Sequence, residues 1–243
     1  MTTRTSPSGQ PIRRPGGTSR RRIFNHEMYE MVWGTVYVGL VINMAFVLVN
    51  LPLVVLILLP DPLASWPLLT LAIPLLAPAL LATFTMFGAF SEDPTTKAMR
   101  TFFTAWRRHL PKFWAMGFGV CVVVTIATLN TIWLMGEALG AMVIPIQVVL
   151  TTVVLIATLH ALVLRAARPE LRLSELLPAG LLLGLRRWYF TLPALFVLGL
   201  LGQLILTQPA IGLGFATSPL LYATWGLCRF ALHPVLPVEP MPA

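Results

Sequence analysis

Charge is what this chain lacks most. Only 11% of its 243 residues are charged and 57% are hydrophobic, whereas roughly a quarter of residues in soluble domains carry charge. That balance excludes an ordinary soluble domain and indicates an integral membrane protein. Cysteine is nearly absent too: Cys121 and Cys228 form no disulfide framework or metal spacing, and both sit in apolar runs where they act as small apolar residues. The four histidines, His26, His109, His160 and His233, make no HExxH pair. Neither lysine follows a glycine, which rules out a Walker A loop, and no G-x-S-x-G elbow occurs. The sequence therefore offers no catalytic, cofactor-binding or metal residues, and a non-enzymatic protein is expected.

What charge there is lies in clusters. From Met31 to Ser91 the only charged residue is Asp61, from Phe113 to Leu164 only Glu137, and from Trp188 to Cys228 there is none. Each block is too long for one span of about 20 residues and suits two. Turn-forming residues mark each midpoint: "LPDPLASWP" (Leu59 to Pro67), "MGEALGAM" (Met135 to Met142) and "TQPAIG" (Thr207 to Gly212). The pattern predicts an all-α membrane protein of six transmembrane helices, 31–59, 66–90, 113–136, 141–164, 189–207 and 210–230, paired as three hairpins. Helices are the expected spanning element because hydrocarbon leaves backbone polar groups no outside partner, and alternating strand patterns are absent. The long apolar run after the Arg-rich start has no small-residue cleavage site and does not read as a signal peptide.

All 17 basic residues fall on one side of this six-helix arrangement. The positive-inside rule then places both termini in the cytosol and Asp61 and Glu137 outside. Two of the inside links carry more pattern than a boundary needs. Between Thr95 and Lys112, Met99, Phe102, Phe103, Trp106 and Leu110 recur at helical spacing, with Lys97, Arg100, Arg107 and Arg108 mostly on other faces. This predicts an amphipathic helix lying in the inner interface. The link "PELRLSELLPAGLLLGLRR" (Pro169 to Arg187) repeats the idea before helix 5, with Pro178 starting or kinking its helical part. Aligning Arg107-Arg108 with Arg186-Arg187 superposes two units of amphipathic segment plus hairpin. The candidate contacts for a partner or for lipid are Arg100, Trp106, Arg107, Arg108, Lys112, Glu175, Arg186 and Arg187.

Residues 1–22 are rich in Ser, Pro, Gly and Arg and predict a disordered basic cytoplasmic tail, attracted to anionic inner-leaflet lipids. Residues 23–232 form the membrane domain, and 233–243 a disordered proline-rich tail. With no basic folded domain to carry it, nucleic acid is not an expected partner despite a net charge of +8. Within the spans the polar candidates are Asn43, Asn50, Asn130, Gln147, His160 and Gln203. They are expected either to bond across helices or to line a polar path. The spans hold no deep ionisable acid of the kind that couples ions to transport. Gly180-x-x-x-Gly184 could allow close helix packing.

Phe24-Asn25, Asn43 followed by Leu51-Pro52, "TKAMRTFFTAWRRHLPKFW" (Thr96 to Trp114) and "SPLLYATWGLCRF" (Ser218 to Phe230) together resemble the bacterial YesL family of small integral membrane proteins. The best local feature is Phe102-Phe103-Thr104-Ala105-Trp106-Arg107. A "DEEGY"-like turn is common in the family before that segment, and "SEDPTTKAM" stands in its place here. The resemblance implies a multi-pass protein of the bacterial plasma membrane without established activity, associated with carbohydrate uptake. The expected function is thus a non-enzymatic accessory or transport-associated component, with membrane transporter subunits as partners. Two alternatives stand beside it. A permease subunit driven by a separate ATPase is suggested by Glu175, Gly180 and Leu192-Pro193 in coupling-helix order, although Leu176 and Leu177 replace the usual alanines. A lipid-acting membrane enzyme would have to draw on acids and histidines scattered over three inner segments.

Overall fold

The computed structural model describes residues 34, 36–59 and 65–232. The chain divides into a unit that ends at Tyr37 and a second, from Val38 onward, that holds the core. The tails expected to be disordered, 1–22 and 233–243, lie outside the described residues, as do Asp61 and the first residues of the predicted span 31–59. Among the described residues helices account for nearly everything and no strand occurs.

The predicted span 31–59 is broken. Helix α1 (Val36–Val49) meets α2 (Leu51–Ile57) at a bend of 78°. Asn50 sits in the break with its Nδ2 donating to Phe46 O at 2.9 Å, and Pro52 opens α2 without an N–H to continue the α1 ladder. The second span, expected at 66–90, runs as α3 (Trp66–Ala72), a 3-10 turn at Ile73–Leu75 around Pro74, and α4 (Leu76–Glu92).

The largest departure concerns α5. The interfacial helix expected at 95–112 and the span expected at 113–136 are one continuous helix, Ala98–Leu134, of 37 residues. Pro111 removes one ladder bond without ending it. A helix of this length extends about 55 Å, well beyond a hydrocarbon core of about 30 Å. Its amphipathic end packs on protein: Phe102, Ala105 and Phe113 are buried. The register is antiparallel to the preceding span, with Gly117 against Pro74 and Ala77, and Cys121 Sγ 4.0 Å from Thr70 O.

Helix α6 (Gly140–Ala167) returns beside α5, close to the expected 141–164. Helix α7 (Leu173–Arg186) realises the second amphipathic segment as a separate helix, with Pro178 inside it rather than at its start. The two units superposed by their arginine pairs therefore differ: one amphipathic segment is fused to its span and the other is not. Helix α8 (Trp188–Thr207) matches the fifth predicted span. The sixth is irregular: a short α9 (Pro209–Ile211), a π-helical turn at Gly212–Ala216, then α10 (Thr217–Leu232) of only 16 residues.

Among the described residues four helices are long and apolar enough to cross a membrane, or five if α1 and α2 count as one bent span. Helix α4 is central and lies against α5, α6 and α10. Ala79, Phe84 and Met86 of α4 are wholly buried with Phe102, Leu162, Leu164, Leu176 and Leu221 around the same core. The far half of the α5–α6 pair is different: Trp133, Met135, Leu139 and Met142 are strongly exposed. A large apolar surface of this kind suits a hydrocarbon solvent.

Candidate functional site

The polar residues flagged in the apolar runs divide into those that join helices and those that do not. Asn43 of α1 is buried and bidentate: its Nδ2 donates to Gly214 O at 2.7 Å and its Oδ1 accepts from Ser218 N at 2.7 Å. The π-helical turn has just opened the ladder there, and Thr217 adds a hydroxyl bond to Gly212 O at 2.8 Å. Asn43 thus fills an acceptor and a donor that an unbroken α-helix would pair with each other. Gln147 of α6 donates to Thr131 Oγ1 at 2.9 Å and to Ala127 O, tying α6 to α5.

His160 is wholly buried between α6, α7 and α8. Its Nδ1 lies 3.0 Å from Ile156 O and its Nε2 3.3 Å from Thr191 Oγ1, which in turn reaches Gly184 O at 2.9 Å. Close approach of α7 makes this possible. A Cβ added at Gly180 would lie 2.9 Å from Ala161 N and 3.0 Å from Ala157 O; one at Gly184 would lie 2.5 Å from Ile156 Cγ2 and 3.0 Å from His160 Nδ1. The Gly180/Gly184 pair is therefore a packing face.

The other polar candidates join no second helix. The Asn50 side chain bonds only back to Phe46 O of α1, and its Oδ1 is buried without a partner. Asn130 and Gln203 are exposed. None of the described cavities is lined by this polar set beyond Asn43.

The basic candidates also separate. Arg100, Arg107, Arg108 and Lys112 are exposed along α5, while Trp106 is half-buried against the core with its Nε1 unpartnered. Arg187 donates to Phe230 O at 3.0 Å, fastening the α7–α8 junction to the end of α10, where Arg229 stacks over Trp225 at 5.2 Å. Arg186 is exposed. Glu175 accepts the backbone N–H of Arg172 at 3.1 Å and caps α7.

Arg100 and Arg108 come together with two residues the candidate set missed, His109 and Arg165, around a cavity of about 390 Å³. Arg165 was legible only as a boundary charge; its use at the α6–α7 turn, where Nη1 donates to Leu171 O at 2.6 Å, depends on the fold. Lys112, Arg165 and Arg172 line a neighbouring cavity of about 260 Å³ with Glu170. No group of three His, Cys, Asp or Glu side chains able to hold a metal occurs among the described residues. Comparison with family models, curated proteins and solved structures finds no match to this chain.

Proposed function

We propose that the chain is a multi-pass protein of the bacterial plasma membrane that serves as a non-enzymatic, transport-associated accessory component. In this reading α1–α2 and the π-turn with α10 complete six crossings, and both termini are cytosolic. The observation that carries it is the fate of the polar side chains. Asn43, Gln147 and His160 are engaged at helix contacts, so the bundle is braced rather than furnished with a polar route, while Arg100, Arg107, Arg108 and Lys112 of α5 and Arg186 of α7 are exposed to a partner.

The resemblance stated above suggests a carbohydrate importer as the first partner to test. Glu175, the acid a coupling helix would present to an ATPase, is engaged in capping α7, which makes the permease reading the weaker one. Purification of the tagged full chain in mild detergent, followed by identification of what accompanies it, tests the proposal. Co-purification of transporter subunits is expected; recovery of the chain alone with intrinsic enzymatic activity overturns it. Reporters inserted after Glu137 should face outside and those at Arg187 inside, and the reverse result removes the topology.

A further inference from the structure

The polar cavity between α4, α5 and α6 has an unusual lining. Arg100, Arg108, His109 and Arg165 line it together with the hydroxyl-bearing Thr101 and Thr104, and among the described residues no carboxylate does. Arg100 and Arg108 have no ion-pair partner among the described residues. Arg165 is held by its bond to Leu171 O, which fixes the guanidinium. A fixed guanidinium flanked by two more arginines and by hydroxyls, with no acid to neutralise them, presents donors suited to an oxyanion.

We propose that this cavity binds a phosphate group, as a monoester or diester. Arginine suits tetrahedral oxyanions because its planar fork donates two parallel bonds, and charge-assisted bonds are the strong ones. A carboxylate could satisfy one guanidinium, but three guanidiniums and two hydroxyls match the several acceptor oxygens of a phosphate better. The cavity's place agrees with this chemistry. Its α5 lining, Arg100 to His109, lies on the charged side of Phe113, where the uncharged stretch begins, and its α6 lining starts at Arg165, just past Leu164 where that of α6 ends. That is the level at which the phosphates of inner-leaflet lipids would stand if the apolar stretches occupy the hydrocarbon. A volume of about 390 Å³ also admits a free phosphate or a small phosphorylated solute. The cavity's charge does not depend on which transporter, if any, the chain accompanies.

The experiment uses the full chain with two probes. Native mass spectrometry in mild detergent compares retention of phosphatidylglycerol with phosphatidylcholine, and calorimetry titrates inorganic phosphate into protein in phosphatidylcholine nanodiscs. Preferential retention of one phosphatidylglycerol identifies a lipid headgroup as the source; saturable uptake of inorganic phosphate without lipid preference identifies a free phosphate. In either case the double variant Arg100→Gln with Arg108→Gln should weaken binding about tenfold or more, and Thr101→Val with Thr104→Val should weaken it less. Glu137→Gln, exposed and outside the cavity, should leave it unchanged. Absence of saturable binding with both probes overturns the proposal, as does equal loss in the Glu137→Gln control. If the double arginine variant does not fold, unchanged binding by the threonine pair overturns it on its own.

Discussion

Asn43 Oδ1 accepts the backbone N–H of Ser218 at 2.7 Å across 175 residues of sequence. With the return bond to Gly214 O, one amide closes the gap that the π-turn leaves in the last helix. Replacing it with leucine strands a buried donor and a buried acceptor. Asn43→Leu should lower stability by about 1–3 kcal/mol, read as a lower melting temperature in detergent. Asn43→Asp keeps the acceptor for Ser218 but loses the donor to Gly214, and it adds a charge beside a carbonyl; it should be at least as damaging.

The glycines of α7 give a contrast within one chain. A Cβ at Gly180 meets backbone atoms of α6, which cannot rotate away, whereas Gly119 and Gly199 have nothing within 4 Å. Gly180→Ala should push α7 off α6 and destabilise the protein. Gly119→Ala and Gly199→Ala should be neutral or stabilising by up to about 1 kcal/mol, because alanine is the better helix former. Gly184→Ala should be intermediate, since its obstacles are the Ile156 and His160 side chains. Thermal unfolding of the four variants under one condition checks the order.

The helices were legible where long uncharged runs impose them, and α6 and α8 begin and end within a few residues of expectation. The start of α5 was not. Pro111 and the arginines beside it look like a boundary, and an apolar stripe at Met99, Phe102 and Trp106 looks like a face for lipid. In the fold Phe102 is buried in the core, because amphipathicity specifies only that a face is covered, whether by lipid or by protein. The broken span was hidden for a related reason: Asn50 and Pro52 signal a kink, but a bend of 78° depends on what the two halves pack against. The polar candidates were found as residues and missed as pairs. Asn43 stood out in the sequence; Gly214 and Ser218, remote and unremarkable, did not, and Asn130 looks just as suggestive yet is exposed.

Gln147 joins Thr131 and the Ala127 carbonyl across the α5–α6 pair, in the half of that hairpin with the least protein around it. Interhelical bonds of this type contribute about 0.6–2 kcal/mol each. Gln147→Leu should weaken the hairpin by that order, and Thr131→Val by less because the Ala127 bond survives. A double-mutant cycle on the pair should give a coupling energy above zero; strict additivity would show that the side chains do not interact.

The turn between α4 and α5 carries its own acid response. Asp93 Oδ1 accepts from the Thr95 hydroxyl at 2.7 Å and from Thr95 N at 2.8 Å, and these bonds, the side-chain one foremost, hold its carboxyl below the ordinary aspartate range. A depressed carboxylate pKa contributes stability that is present above the unfolded-state value and is lost as pH falls through the folded one. The turn should therefore stay closed at neutral pH and loosen only on strong acidification, with faster amide exchange at Thr95. Asp93→Asn retains an acceptor oxygen but not the charge, so exchange at Thr95 should be faster at neutral pH and lose its dependence on protonation in the acid range, once the intrinsic exchange rate is corrected. An unchanged acid response in Asp93→Asn would assign the loosening to another group.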